Sequence, residues 1–193
     1  MKAKHLYGLN ASGWAPEKLT PQALQGKGLT RLRTIDEFTV PGAVAGWEAL
    51  HQRWGKLSLA EDMAPAIALA DKGIAVTETD ADNWNTYGMP FRNDPEFARV
   101  FLPGGKAPVA GQLFRNPELA RTLQRIAEHG RDGFYQGETA AAILKLERAL
   151  GGFMEAEDLS RFQPEWVDPV STIYHGWTVY EMPPNGELPH SRC

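Results

Sequence analysis

Apolar residues recur at three- and four-residue steps through most of the chain and switch to a two-residue alternation near its ends. Val44, Trp47, Leu50 and Trp54 fall on one stripe and predict a buried helix with two indoles and two aliphatic side chains turned inward. Pro41 suits its first position, where a missing N–H goes unmissed, and Gly55 its C′ position. Gly42 and Gly46 carry no Cβ, so another backbone is expected to approach that end closely. Each of these glycines costs a helix about 1 kcal/mol relative to alanine, which tight packing must offset. The rest of the chain is expected to organise around this helix.

The flanking pattern is read in order. His5–Asn10 alternates like a short strand, and residues 11–16 form a loop. Thr20-Pro21 starts a short helix that Gly26-Lys27-Gly28 ends. Ser58-Leu59-Ala60-Glu61 is a capping box opening a helix with Leu59, Met63, Ile67 and Ala70 on one face and a stop at Gly73. Pro65 inside it predicts a kink. Thr77–Tyr87 reads as a short helix with Trp84 inward. Asp94-Pro95 opens another, carrying Phe97, Val100 and Phe101 and broken by Pro103-Gly104-Gly105. Asn116-Pro117-Glu118 is a clean helix start, followed by the stripe Leu119, Leu123, Ile126 and Ala127 and a stop at Gly130. Glu138–Leu150 and Glu155–Phe162 are two more helices. Ser171–Tyr174 and Trp177–Tyr180 are β-rich runs joined by His175-Gly176, a two-residue hairpin. The fold class is therefore α/β (α+β) and mostly helical, with a terminal β-hairpin.

Composition narrows the chemistry. The chain has 193 residues, 42% hydrophobic and 23% charged, with a formal net charge of -4. That suits a globular domain and gives no support to a nucleic-acid partner. No apolar run is long enough to span a bilayer, no signal peptide is visible, and the cytoplasm is the default compartment. The single cysteine, Cys193, excludes disulfide frameworks and cysteine metal sites within the chain. Five scattered histidines share no metal-ligand spacing, and no metal or cofactor is expected. Gly104-Gly105-Lys106-Ala107 lacks the spacing of a phosphate loop and reads as a turn. Glu155, Glu157 and Asp158 read as a solvated first helical turn. Asn10-Ala11-Ser12 fits a glycosylation sequon, which without a secretory signal is read as chance. The residues alone thus describe a domain without a self-contained active site.

Several stretches together resemble the large-chain portion of the gamma-glutamyltransferase (glutathione hydrolase) family. Val40-Pro41-Gly42-Ala43-Val44-Ala45-Gly46-Trp47 is followed by Trp54-Gly55-Lys56-Leu57 and by residues 64–70. Phe101-Leu102-Pro103, Gly111 and Arg115–Ala120 come next, then Phe134-Tyr135-Gln136-Gly137, Gly151-Gly152 and Asp158-Leu159. Tyr174–Trp177 and Glu181–Pro184 complete the series, so the resemblance spans roughly residues 5 to 186. It implies part of an N-terminal-nucleophile hydrolase, a four-layer αββα sandwich, here mostly its helical layers. Such enzymes are made as self-cutting precursors. The new N-terminal Thr of the small chain attacks a γ-glutamyl amide with its own amino group as base, and an oxyanion hole holds the intermediate.

Two departures qualify what carries over. The family's nucleophile lies in a Thr-Thr-His-like stretch downstream, and Thr172 and Thr178 begin no such motif, so no catalytic residue is assigned. The family's Arg-Glu-x-Ala-Pro motif, whose arginine grips the substrate α-carboxylate, matches Ser12-Gly13-Trp14-Ala15-Pro16. Serine cannot replace a bidentate guanidinium, so an acyl group other than γ-glutamyl, or a different mode of binding it, is expected. Ser12, Gly13 and Trp14 are the candidate substrate-binding residues; an ordinary loop after an edge strand is the competing reading. Residues 1–186 are expected to be a large-chain fragment and residues 187–193 an unrelated tail. The expected partners are the remainder of the large chain, the small chain and a small-molecule amide. A non-catalytic binding or scaffold module built from the same helical layers is the alternative.

Overall fold

Local capping chemistry decides most element boundaries. The computed structural model describes residues 5–28 and 34–184. The tail expected at 187–193 and part of the stretch leading into the organising helix lie outside the described residues. The chain divides into two compact units, residues 1–56 with 129–193, and residues 57–128.

The first unit opens with β1 (Gly8–Asn10), shorter than the alternation suggests, and α1 (Pro21–Gly26). Thr20 caps α1 as expected, its hydroxyl accepting from the Ala23 N–H at 3.1 Å. The organising helix is α2 (Ala43–Trp54), with Gly42 at the N-cap. Pro41 therefore lies outside the helix, not at its first position. Gly55 ends α2 with φ -58 and ψ 142, not in the left-handed region. Only the start of the helix is buried, through Val44, Ala45 and Gly46. Trp47, Leu50 and Trp54 remain 47%, 45% and 48% exposed, so the expected core stripe is inward at one end only.

The second unit begins with α3 (Leu59–Lys72), where Ser58 and Glu61 form the expected reciprocal cap. The helix runs unbroken through Pro65. Next come β2 (Ile74–Ala75), α4 (Glu78–Asn83), continued by a π turn over Trp84–Gly88, α5 (Pro95–Phe101), β3 (Leu113–Phe114) and α6 (Pro117–His129). β2 and β3 pair antiparallel, Ile74 with Phe114 and Ala75 with Leu113. Trp84 turns in as expected, its ring 4.7 Å from that of Phe114. Gly104 and Gly105 adopt φ 69 and 75, so the Gly-Gly-Lys stretch is a turn.

The first unit resumes with α7 (Asp132–Tyr135), α8 (Gly137–Ala149), α9 (Ala156–Ser160), β4 (Glu165–Val167), β5 (Val170–Tyr174) and β6 (Trp177–Glu181). Tyr135, Leu159, Phe162 and Val40 form its most enclosed core. β5 and β6 make the expected hairpin, with Tyr174 opposite Trp177. His175 and Gly176 both take positive φ, 47 and 82, as a primed two-residue turn requires. β4, which the periodicity does not reveal, pairs antiparallel with β1, Leu9 opposite Trp166. The result is a mixed, mostly helical chain with small antiparallel sheets.

Candidate functional site

The loop leaving β1 is built from the backbone outward. The Asn10 side-chain oxygen accepts from the Ser12 N–H at 3.0 Å and turns the chain. Ala11 then lies against the start of α2: a Cβ on Gly42 would stand 1.9 Å from the Ala11 carbonyl oxygen, and one on Gly46 2.8 Å from the Ala11 Cβ. This is the close backbone approach expected at Gly42; at Gly46 the atom that approaches is the Ala11 methyl. Gly13 is tighter still, since its Cβ would fall 1.5 Å from the Val40 carbonyl oxygen. The Trp14 carbonyl accepts from the Val40 N–H at 3.0 Å. The loop and the lead into α2 thus run in direct backbone contact.

Trp14 is held from the opposite side by α9. Its indole N–H donates to the Asp158 carbonyl at 3.2 Å, and its ring stands edge-on to Phe162 with centroids 5.3 Å apart. The Asp158 carboxyl accepts from the Glu17 N–H at 2.9 Å and from the Glu155 N–H at 2.8 Å, and the residue is 6% exposed. Asp158 is therefore a buried clamp. This corrects the expectation that all three acids of this turn are solvated, and the reason is tertiary: the N–H of Glu17 comes from 141 positions away. Glu155 conforms better to the expectation, pairing with Lys18 at the surface and raising the Lys18 pKa chiefly through that hydrogen bond.

Ser12, Gly13 and Trp14 thus have distinct surroundings. Gly13 and Trp14 are consumed in fixing the loop. Ser12 is exposed, and among the described residues its hydroxyl makes no hydrogen bond. Beside Trp14 lies a cavity of about 190 Å³ lined by Ala15, Glu17, Glu157, Asp158 and Arg161. A larger open groove of about 530 Å³ runs over Ala60, Ala64 and Ala68 of α3 and Ala120 and Ala127 of α6 within the second unit, with Asp71, Arg121 and Gln124 also in its lining. Thr172 and Thr178 sit within the hairpin, opposite Val179 and Ile173. Among the described residues there is no cluster of three or more metal-ligating side chains, and no helix long and apolar enough to cross a membrane.

Composition and spacing did not single out Tyr135 or Arg131. The Tyr135 hydroxyl donates to the Pro41 carbonyl at 2.6 Å and accepts from the Ala45 N–H at 3.2 Å. Arg131 donates to the carbonyls of Ser160 and Phe162 at 3.2 and 2.7 Å, and its own N–H donates to Glu48 of α2 at 3.0 Å. The one available signal was the Phe-Tyr pair in the ordered motifs.

The profile of the family described as gamma-glutamyltranspeptidase matches residues 1–189. The chain belongs to the gamma-glutamyltranspeptidase family. A family relative, the glutathione hydrolase-like YwrD proenzyme of Bacillus subtilis, is 37% identical over 187 residues, covering 96% of this chain and 35% of the relative. Among solved structures, cephalosporin acylase from Bacillus halodurans matches with a TM-score of 0.88 and 39% identity, over 96% of this chain and 36% of that one. Helicobacter pylori gamma-glutamyltranspeptidase matches with a TM-score of 0.85 and 30% identity, over 95% of this chain and 54% of that one. The chain therefore spans about a third of the length of the curated relative named here.

Proposed function

We propose that this chain is part of a proenzyme of the N-terminal-nucleophile type, an amide hydrolase or acyltransferase whose pocket does not require a substrate α-carboxylate. In this reading the parent is an αββα sandwich and this chain supplies mostly its helical layers. The nucleophile is the N-terminal Thr of a small chain made by self-cleavage, its own amino group serves as base, and an oxyanion hole holds the tetrahedral intermediate. The acyl group then passes to water or to an amine.

The observation that carries the acyl preference is Ser12. It stands where the family motif places arginine, exposed on a turn whose neighbours Gly13 and Trp14 are fixed by contacts to Val40 and Asp158. A hydroxyl lacks both the charge and the paired donors of a guanidinium. That a cephalosporin acylase is among the structural relatives agrees with an acyl group other than γ-glutamyl.

The test uses the whole protein that carries this chain and compares γ-glutamyl with butanoyl p-nitroanilide, which share the acyl chain length but not the α-carboxylate and α-amine. The expected kcat/KM for γ-glutamyl does not exceed that for butanoyl, and Ser12→Arg shifts the ratio toward γ-glutamyl by about tenfold or more, the scale of one charge-assisted hydrogen bond. A wild-type preference of about a hundredfold for γ-glutamyl overturns the acyl reading. The 193-residue chain by itself is expected to turn over neither substrate. Turnover that a Thr172 or Thr178 substitution abolishes would overturn the placement of the nucleophile outside it.

A further inference from the structure

Arg131, just before α7 in the first unit, reaches both supports of the loop that carries Ser12. One terminal nitrogen of its guanidinium donates to the Ser160 carbonyl at 3.2 Å and to the Phe162 carbonyl at 2.7 Å. Ser160 is the last residue of α9, so its carbonyl has no partner within that helix. The central carbon of the guanidinium lies 5.2 Å from the Tyr135 ring centroid. The main-chain N–H of Arg131 donates to Glu48 of α2 at 3.0 Å. The side chain is 19% exposed, and its Nε is buried with no hydrogen-bond partner among the described residues. A guanidinium left partly unsatisfied is costly to bury, and the grip on two carbonyls must offset that cost.

We infer that Arg131 is a positioning residue for substrate selection: it ties α9 to α2, the two supports between which the Ser12 loop is held, and so sets how sharply the side chain at position 12 reads the acyl group. The inference rests on the proposed reading that position 12 faces the acyl group. Three observations carry it. The loop leans on both supports at once, with Ala11 against Gly42 at the start of α2 and Trp14 edge-on to Phe162 at 5.3 Å. Arg131 holds the second support at the residue whose ring carries Trp14, since the carbonyl it grips and that ring both belong to Phe162. It reaches the first support through Glu48 and through the ring of Tyr135, whose hydroxyl bridges the Pro41 carbonyl and the Ala45 N–H. Such placement matters because paired hydrogen bonds to a carboxylate demand a fixed geometry, and a displacement of about 1 Å can cost on the order of a hundredfold in rate.

The test is a double-substitution comparison in the whole protein that carries this chain, with the γ-glutamyl and butanoyl p-nitroanilides as probes. Ser12→Arg is made with Arg131 in place and again with Arg131→Met, and the ratio of kcat/KM for the two substrates is read in each. With Arg131 in place the gain toward γ-glutamyl is about tenfold or more. With Arg131→Met the gain falls to about threefold or less. Arg131→Lys, which keeps the charge on a more flexible stem, recovers part of it. A merely structural role reduces the amount of active protein and scales both substrates alike, leaving the ratio unmoved. An undiminished gain overturns the inference.

Hydrogen exchange followed by mass spectrometry gives a second readout, independent of the acyl reading. The Glu17 N–H is held by the Asp158 carboxyl and the Val40 N–H by the Trp14 carbonyl. In Arg131→Met both exchange at least about tenfold faster than in the wild type, while the amides of α8 do not change. Wild-type exchange at both overturns the inference whatever the kinetics. If Ser12→Arg gives no gain with Arg131 in place, the acyl reading fails and the exchange alone decides the positioning role. If Arg131→Met quickens α8 as well, Arg131→Lys replaces it, and either a wild-type gain or wild-type exchange in that variant overturns the inference.

Discussion

The hydroxyl of Tyr135 is the N-terminal cap of α2, accepting from the N–H of Ala45 while it donates to the carbonyl of Pro41. Gly42 occupies the N-cap but has no side chain to do this, so the acceptor comes from a residue 90 positions away. Tyr135 is 1% exposed, and burial pushes its phenol pKa up, keeping the proton available to Pro41. Tyr135→Phe preserves the ring and leaves the buried Ala45 N–H without its acceptor and the Pro41 carbonyl without its donor. The expected loss is about 1–3 kcal/mol, read from urea unfolding.

Gly42→Ala is expected to be worse than its small volume suggests. The added methyl would meet the Ala11 carbonyl and the Phe162 ring at once, and neither is the end of a flexible side chain. A loss of more than about 2 kcal/mol is expected, as for forced overpacking. Gly104→Ala, in open space, costs only the strain of its positive φ. Thermal unfolding of the pair separates contact from conformation.

Asp158→Ala removes the acceptor shared by Glu17 and Glu155 and lets the strut beneath Trp14 move. A loss of about 2–3 kcal/mol is expected, and Asp158→Asn should recover part of it by keeping one acceptor oxygen. Red-shifted tryptophan emission would report the exposure of Trp14. Unchanged stability in both variants would refute the clamp.

Two carboxyl groups give opposite pH dependences. Burial pushes Glu147 above the ordinary value of 4.5; Asp36 adds to the rise, while the Met154 N–H and Lys27 oppose it. Its contribution to stability is complete below 4.5 and is lost as pH rises through the higher folded value. Glu61 is pulled below 4.5 by the Ser58 hydroxyl and N–H, so its contribution is present above 4.5 and is lost as pH falls through the lower folded value. Glu147→Gln should therefore reduce the decline in stability between about pH 4.5 and neutrality and leave the acid limb unchanged. Denaturant titrations across that range check both signs.

The hairpin bears on the behaviour of the chain in solution. Ile173 and Trp177 are 75% and 78% exposed. The 193-residue chain is expected to bind a hydrophobic dye, and replacing both residues with threonine should lower the signal. An unchanged signal would place the dye elsewhere.

Legibility in the sequence followed the range of the interactions. The starts of α3 and α6 were readable because Ser58 with Glu61, and Asn116 with the Leu119 N–H, act within one turn. The hairpin was readable because β alternation and a two-residue turn are local. The true start of α2 was not, because Tyr135 supplies its cap from far along the chain. β4 was hidden for the same reason: three residues show little periodicity, and their partners in β1 lie more than 150 positions earlier. At the candidate site, Ser12, Gly13 and Trp14 were singled out through the motif they depart from. The role of Asp158 depended on a fold-level contact that charge patterning could not express.

The contact of Gly13 with Val40 separates what holds this bend from what projects from it. Main-chain atoms, the Asn10 side chain and a glycine too crowded to be replaced hold this bend, while the Ser12 hydroxyl projects from it without helping to hold it. The side chain at position 12 can therefore be exchanged without rebuilding the bend that carries it. On the proposed reading of position 12, a lineage could move from gripping a carboxylate to accepting a plain acyl chain, or back, through a single codon there.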